Sequence, residues 1–304
     1  MTDLIDKSVE EHFQIRYLTR YEYPTEVVDN LNALRVRPAN NARQRLEEFN
    51  LRITPEVRQY RHDDYFGTEV IEFEVTRPHR ELTIDVRARV STHGQLPPPP
   101  SAWEVLGSDA YREAGGEFLA QSDDAPGNPL LLALQREIAS AATPLAAVLR
   151  VSELVPERLE YRRGATYVDS PLTDALDACA GVCQDFAHLA LNLLRHNGIA
   201  GRYVSGYLFS SGSQDSQESV EVDTHAWIEA LLPGADSSEP QWLAVDPTNR
   251  GIVGASHVKI GHGRCYSDVP PIKGVYRGHA SSHLEASVTM TRVSGPSAPS
   301  MART

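Results

Sequence analysis

Cysteine is the most reactive side-chain type in this chain, and the position of one of the three cysteines favours catalysis. So few thiols cannot form a disulfide framework, so each is a candidate for packing, metal binding or catalysis. Cys183 precedes apolar residues at helical spacing that Gly198 closes, which places it in the first turn of a predicted helix. There, exposed N–H groups and the helix dipole favour a thiolate and can bind an oxyanion. We therefore predict that Cys183 is a nucleophile; a buried core thiol is the alternative.

The general base has to come from another segment of the chain. His188 lies on the same predicted helix, five residues after Cys183. That spacing corresponds to about 140° of rotation around a helix, so the imidazole faces away from the thiol. We predict that His188 is a packing or hydrogen-bonding residue.

Two neighbouring predicted strands can bring a base and its orienting acid together. The segments around His225 and Asp246 have the apolar and alternating patterns of strands. If they form a hairpin in which Ala230 pairs with Gln241, His225 faces Asp246 directly, whereas a one-residue slip would separate their faces. Aspartate would fix the imidazole tautomer, and imidazole would take the thiol proton. The spacing thus predicts a triad of Cys183, His225 and Asp246; a strand-end turn residue is the alternative for Asp246.

A metal-binding module is the competing interpretation of the same thiols. Cys179 and Cys183 stand four residues apart, but Gly181 between them argues against one continuous helix, and a second cysteine pair is missing. Histidines near the C-terminal end lack ligand spacing: His257, His262, His279 and His283. We therefore expect neither a metal nor a cofactor.

The elements that would position these residues divide the chain into two parts, with an α+β organisation. Residues 11–94 contain short alternating strands between turn residues, which predicts an antiparallel, sandwich-like β domain. Four consecutive prolines, Pro97–Pro100, predict a stiff linker over residues 95–101. Residues 102–294 begin with helical periodicity and continue into strands, so they form the predicted catalytic core. Residues 295–304 are predicted to be a disordered tail.

Composition restricts the partners that the chain can take. Its 304 residues carry a net charge of −12, which disfavours nucleic acid. The candidate basic patch is interpreted as solvated charge between strands and comprises Arg35, Arg37, Arg43 and Arg45. No window is apolar enough to cross a bilayer, and the N-terminus lacks the regions of a secretory signal. We expect no membrane partner and a cytoplasmic location.

Several motifs of this chain resemble those of one known family. Four of them follow in the family's order: Gly181–His188, Arg202–Tyr207, His225–Trp227 and Asp246–Asn249. Together they resemble the bacterial transglutaminase-like superfamily. The N-terminal part resembles the β domain that precedes this core in many bacterial members, through Tyr21–Tyr23, Leu34–Pro38, Asp64–Gly67 and Pro78-His79. The resemblance covers roughly residues 11 to 294.

The resemblance implies a papain-like core in which Cys183 is the nucleophile, His225 the base and Asp246 its partner. The family performs acyl transfer on amides through a thioester, to an amine or to water. Members of this bacterial subgroup are usually described as candidate cysteine proteases. The expected partner is therefore a protein, a peptide or a small amide, and no oligomeric state is predicted. The alternative is a non-catalytic scaffold or binding protein that keeps the fold.

One position departs from the family pattern. Cys265 stands where similar proteins usually have an aspartate within Gly-Arg-Asp-Tyr, which leaves the role of that acid in doubt. Hydroxyl groups upstream of the nucleophile are candidates to assist an oxyanion: Tyr161, Thr166 and Tyr167. The sequence assigns none of them, and strand or loop residues are the favoured interpretation.

Overall fold

The computed structural model describes residues 5–121, 125, 127–168, 170–210, 219–234, 239–278 and 281–294. Its strands are β1 (Ile5–Leu34), β2 (Gln44–Thr54), β3 (Gln59–Asp63), β4 (Glu69–Val75), β5 (His79–Gln95), β6 (Glu160–Tyr161), β7 (Ala180–Gly181), β8 (Gly201–Leu208), β9 (Ser219–Val222), β10 (Thr224–Leu232), β11 (Gln241–Asp246), β12 (Gly251–Ile252), β13 (His257–Gly263), β14 (Ile272–Arg277) and β15 (His283–Arg292). Its α-helices are α1 (Asp109–Gly115), α2 (Pro129–Ala139), α3 (Pro144–Arg158), α4 (Leu172–Ala178) and α5 (Cys183–His196). The predicted tail, 295–304, lies outside the described residues.

The N-terminal part forms a large antiparallel sheet around the long strand β1. Over the described residues this sheet has eight strands, in the order β2-β5-β1-β15-β9, with β14 and β4 also pairing with β1 and β3 pairing with β4. Alternate β1 side chains, such as Phe13, Ile15 and Tyr17, are buried in its core because successive residues point to opposite faces. Strands β9, β14 and β15 come from the C-terminal half of the chain, so the sheet extends beyond residues 11–94.

The C-terminal part packs helices against a second antiparallel sheet. Within the described part of the chain this sheet has five strands, in the order β12-β11-β10-β8-β13. Helix α5 lies between helices α2 and α3 and strands β8 and β10, and most of its residues are buried. The predicted α+β class is confirmed, with a β domain followed by a papain-like core. Residues 96–102, which include the four prolines, have no regular secondary structure.

The register of the β10–β11 hairpin differs from the predicted one. Ala230 pairs with Leu243 instead of Gln241, so the direct pairing of His225 with Asp246 is wrong by two residues. Strand β10 continues to Leu232, which is 1% exposed and pairs with Gln241, and burial of this apolar end sets the longer register. A shift of two residues preserves the face on which every side chain lies. His225 and Asp246 therefore remain on one face, as diagonal neighbours.

A buried cluster of charges lies on that same face of the second sheet. The Glu229 carboxylate accepts hydrogen bonds from Arg202 at 2.5 Å and from Lys259 at 2.7 Å. The β domain covers this cluster: the Gln44 side-chain amide bonds the backbone N–H and carbonyl of Lys259, each at 2.8 Å. Burial lowers the pKa of Lys259 to about 7, against the opposing effect of Glu229. Buried charges need partners, which the three residues supply to one another, while Gln44 joins the β domain to the backbone of the strand that carries Lys259.

Three of the four arginines of the candidate basic patch have acidic partners in the structure. The ion pairs are Arg35 with Asp64, Arg37 with Glu69, and Arg45 with Glu47. Arg43 is instead largely desolvated, and burial lowers its pKa. These arginines are therefore engaged within the fold.

Candidate active site

The start of helix α5 is held by a buried carboxylate. Asp185 Oδ2 accepts hydrogen bonds from the Val182 N–H at 2.8 Å and from the Thr166 hydroxyl at 2.6 Å. A Cβ atom on Gly181 would lie 2.6 Å from this oxygen, so only glycine leaves the carboxylate room. Cys183 is the first residue of the helix and is partly exposed. Its thiol therefore stands at the positive end of a helix whose start is fixed.

Substitution of Gly181 tests whether this packing stabilises the fold. We expect Gly181→Ala to lower the free energy of unfolding by about 1–3 kcal/mol, because the added methyl group displaces the Asp185 carboxylate. Urea unfolding followed by circular dichroism measures the change. Gly107→Ala is the matched control, since nothing lies within 4 Å of a Cβ at that position. Equal stability of the two variants would contradict the prediction.

His225 links the thiol to the acid. It is the second residue of β10, and its side chain is 10% exposed. Its Nε2 lies 2.7 Å from Asp246 Oδ2, and its ring also forms a hydrogen bond with Cys183. Because Nε2 is occupied by the carboxylate, Nδ1 is the ring nitrogen left for the thiol. The structure thus brings together the three residues that the sequence predicted as a triad.

Asp246 is held by five hydrogen bonds, which explain the turn that follows it. Oδ1 accepts from the backbone N–H groups of Thr248, at 2.9 Å, and Asn249, at 3.2 Å. Oδ2 accepts from the Asn249 side chain at 2.7 Å and from the rings of His225, at 2.7 Å, and His257, at 3.0 Å. The residue is therefore a strand-end turn residue and a histidine partner at once.

The charges of the site favour an imidazolium beside a carboxylate. Burial lowers the pKa of His225, but hydrogen bonds to Asp246 and Cys183 outweigh it and raise the pKa to about 9. Burial raises the pKa of Asp246, yet hydrogen bonds from His225 and His257 bring it well below its usual value. At neutral pH the His225 ring is therefore a cation that can donate from both nitrogens.

The raised pKa of His225 predicts a loss of stability at alkaline pH. Folding favours the protonated ring, so its contribution is complete below an unfolded pKa of about 6.5. That contribution is lost as the pH rises through about 9. Over this window we expect the free energy of unfolding, measured in urea, to fall by a few kcal/mol more in the wild type than in His225→Gln. An equal change in the free energy of unfolding of the wild type and of His225→Gln over this pH range would contradict the prediction.

Two residues of this site were missed by the sequence analysis. Asn249 belongs to the Asp246–Asn249 motif, and an amide three residues after a strand-end aspartate is a signal that could have found it. His257 had no such signal, because its place depends on β13, which is separated from β11 by two other strands. Its ring meets the fully buried Trp227 edge-on at 5.3 Å.

The remaining predicted residues lie around the site. His188 accepts a hydrogen bond from the Tyr266 N–H at 3.3 Å and packs on the Tyr203 ring, in agreement with its predicted role. Of the hydroxyl candidates, Thr166 is bound to Asp185, whereas Tyr167 is 81% exposed. Tyr161 lies near the thiol, and burial together with Cys183 raises its pKa. The sulfur of Cys265 contacts the Ser267 hydroxyl at 3.0 Å, outside the triad.

One group of the described residues has the spacing of metal ligands. It is formed by His225, Asp246 and His257, whose ligand atoms lie within 4.8 Å of one another, and it contains neither Cys179 nor Cys183. In the present geometry each histidine nitrogen is directed at the same carboxylate oxygen at hydrogen-bond distance. A metal at this position would have to replace those two hydrogen bonds.

A cleft of about 250 Å³ lies between the two parts of the chain, beside the strand that carries His225. Its walls include Tyr17 and Tyr21 from β1 and Tyr266 from the core, and Asp223 and Thr224 lead from it to His225. The Tyr266 ring packs against that of Tyr203, 6.2 Å away. The cleft has aromatic and hydroxyl-bearing walls, and its lining includes Thr224, which directly precedes His225 in β10, but none of Cys183, His225 and Asp246.

Comparison with known proteins identifies two regions. Residues 13–91 match the bacterial transglutaminase-like N-terminal region, and residues 132–247 match the transglutaminase-like superfamily. An uncharacterized protein of Mycobacterium leprae is 36% identical over 282 residues, covering 92% of this chain and 98% of that protein. An uncharacterized protein of Mycobacterium tuberculosis is 33% identical over 298 residues, covering 93% of each.

More distant similarities agree with these matches. A protein-glutamine gamma-glutamyltransferase of Pseudomonas aeruginosa is 30% identical over 163 residues, which is 50% of this chain and 24% of that protein. A solved structure from Cytophaga hutchinsonii, named as a candidate cysteine protease, superposes with a TM-score of 0.74. It is 22% identical and covers 96% of this chain and 94% of its own, so it shows the shared fold. No helix among the described residues has the length and apolar character needed to span a bilayer.

Proposed function

The chain belongs to the transglutaminase-like superfamily and carries the bacterial N-terminal region, and from this premise we propose that it catalyses thiol-dependent acyl transfer or hydrolysis of an amide. The observation that carries the proposal is the hydrogen-bonded chain from Cys183 through His225 to Asp246, with the thiol at a helix start. The amide is a peptide bond, an isopeptide or a glutamine side chain.

The first half of the reaction forms a thioester. The Cys183 sulfur attacks the amide carbonyl carbon, a C–S bond forms, and the carbonyl electron pair moves to oxygen. The N–H groups of Asp185 and Phe186 already donate to the Val182 carbonyl, so the backbone N–H groups of Cys183 and Gln184 are the ones that stabilise that oxyanion. When the intermediate collapses, the C–N bond breaks and the leaving amine takes a proton from His225.

The second half releases the acyl group and restores the site. Water or an amine gives a proton to His225 and attacks the thioester carbonyl. Collapse breaks the C–S bond, and the sulfur leaves as the thiolate beside the imidazolium. Water yields a carboxylic acid, and an amine yields a new amide. Asp246 holds the ring in the required orientation throughout, because its Oδ2 stays on Nε2.

The thiol has to remain reduced for this chemistry, so the cytoplasm is the location that we propose. The proposed substrate is a protein, a peptide or a small amide. Cells of the native host can be fractionated and each fraction assayed with the substrate panel. Activity that depends on this chain in a fraction other than the cytoplasm would contradict the proposed location.

Trapping of the thioester tests the proposed function. We expect intact-mass spectrometry of the wild type with a panel of glutamine peptides and isopeptides to show a covalent adduct that hydroxylamine releases as a hydroxamate. Cys179→Ala should give the same adduct, because that exposed thiol lies outside the triad. Absence of an adduct across the panel, together with equal thiol reactivity in wild type and His225→Ala, would favour a non-catalytic scaffold.

A further inference from the structure

A second histidine shares the carboxylate oxygen on which His225 depends. We propose that His257 is a positioning residue that donates a hydrogen bond from Nε2, as a neutral imidazole, to Asp246 and thereby limits the pull of this carboxylate on His225. The inference rests on the proposed function, because it concerns the basicity of the same base. It assigns to the site a residue for which the sequence has no local signal.

Two imidazole rings reach the same oxygen of the Asp246 carboxylate. His257 Nε2 lies 3.0 Å from Asp246 Oδ2, and His225 Nε2 lies 2.7 Å from the same atom. Both rings are nearly buried, with side chains 9% and 10% exposed, and the carboxylate side chain is 2% exposed. Water therefore has little access to this oxygen, and a buried acceptor of this kind is oriented by its donors.

The protonation state of His257 follows from its surroundings. Burial lowers its pKa; Asp246 opposes that effect, and the charges of His225 and Arg43 lower the pKa further. A neutral ring that faces a carboxylate has to carry its proton on the facing nitrogen, which is Nε2. Nδ1 is then unprotonated, and it is buried without a hydrogen-bond partner among the described residues. The geometry thus selects one tautomer.

Packing holds the His257 ring in place. Trp227 meets it edge-on at 5.3 Å and lies nearly parallel to His225, with ring centroids 6.1 Å apart. The indole passes over Gly206, where a Cβ atom would be 2.5 Å from it. Gly206 is directly opposite His225 on the neighbouring strand. The absence of a side chain there lets the indole pack against both imidazoles while both reach Asp246.

Three donors share one oxygen of the Asp246 carboxylate. Asp246 Oδ2 accepts from His225, His257 and Asn249, so its attraction for the imidazolium is shared. Cys183, Asp246 and His257 are the titratable groups around the His225 ring. If His257 no longer donates, Asp246 stabilises the His225 cation more strongly and His225 becomes more basic. His257 therefore adjusts the pH at which His225 exchanges its proton.

Nuclear magnetic resonance of the full chain with isotope-labelled histidine tests this role. Cys183→Ala is the background, because it removes coupling between the thiol and His225. In this background we expect His257 to show the neutral tautomer with the proton on Nε2. Adding His257→Leu, which fills the ring volume without a donor, should raise the titration midpoint of His225 by about half a pH unit or more. Adding His257→Gln, which keeps an amide donor, should return it toward the background value.

The outcomes separate this inference from the proposed function. An unchanged His225 midpoint in both variants, or a proton on His257 Nδ1, would overturn the positioning role. So would stoichiometric zinc in the purified chain, since a metal would take the place of both hydrogen bonds. If His257→Leu does not fold, His257→Asn replaces it, because its amide is too short to reach Asp246. If the thioester cannot be trapped, these titrations can still be interpreted, because they need no substrate.

Discussion

Cys183→Ala is expected to lower turnover of the amide substrate by at least about 10⁴-fold, because no thioester can form without the sulfur. The measurement is hydroxamate production from the substrate panel at saturating hydroxylamine. Cys179→Ala and Cys265→Ala are matched controls, since both thiols lie outside the hydrogen-bonded chain. Turnover by Cys183→Ala within tenfold of the wild type would exclude the thiol mechanism.

Thiol labelling gives the same prediction without a substrate. Cys179 is exposed and Cys183 only partly exposed, so labelling governed by access alone would modify Cys179 first. Cys183 instead stands beside the His225 ring and at the start of α5, the surroundings in which reactive cysteines are found. We expect limiting iodoacetamide to modify Cys183 first, as measured by peptide mapping, and His225→Ala to remove this preference. Preferential labelling of Cys179 in the wild type would contradict the proposed activation.

Asp246→Asn is expected to lower turnover by about 10³- to 10⁴-fold while the backbone stays in place. An amide nitrogen at the Oδ2 position would oppose the Nε2–H groups of His225 and His257, and the His225 ring would change tautomer or rotate. With the amide oxygen at that position instead, the charge that holds the imidazolium is still lost. Turnover across the substrate panel and circular dichroism together measure the effect.

The Asp246 carboxylate also contributes to the stability of the fold in a way that depends on pH. Hydrogen bonds bring the pKa of Asp246 well below its usual value despite burial. Its contribution to stability is therefore present above the unfolded pKa of about 3.9 and is lost as the pH falls below it. For the loss of turnover, Asp268→Asn is the control, because Asp268 is a carboxylate bound to Arg264 outside the triad. Equal loss of turnover in both aspartate variants would indicate a general effect on folding.

Local patterns were sufficient to predict the elements that carry Cys183, His225 and Asp246. The helical spacing after Cys183 and the strand patterns around His225 and Asp246 correctly predicted the elements that carry them. The predicted hairpin register was wrong by two residues, because the sequence does not mark how far β10 continues before its turn. A register shift of two residues keeps every side chain on the same face of the sheet. The prediction that His225 and Asp246 lie close together is therefore still correct.

Features that depend on distant segments could not be predicted from local patterns. Glu229 falls on the same strand face as His225, but its partners Arg202 and Lys259 lie on two other strands whose order the sequence does not specify. His257 is missing from the prediction for the same reason. Membership of β15 in the N-terminal sheet likewise requires pairing across most of the chain, for which a single sequence contains no pattern.

The place of β15 also decides when a newly made chain can fold. This strand pairs with residues 13–22 of β1, although it follows β1 in the chain after all the other described strands. Before β15 is available, β1 has an open edge of unpaired backbone groups, the kind of edge on which nascent chains associate. The β domain therefore cannot be completed until β15 has been synthesised, and a chain that stops before residue 283 would keep that edge open. The time between the synthesis of β1 and that of β15 is thus the period in which β1 most needs protection from association with other chains.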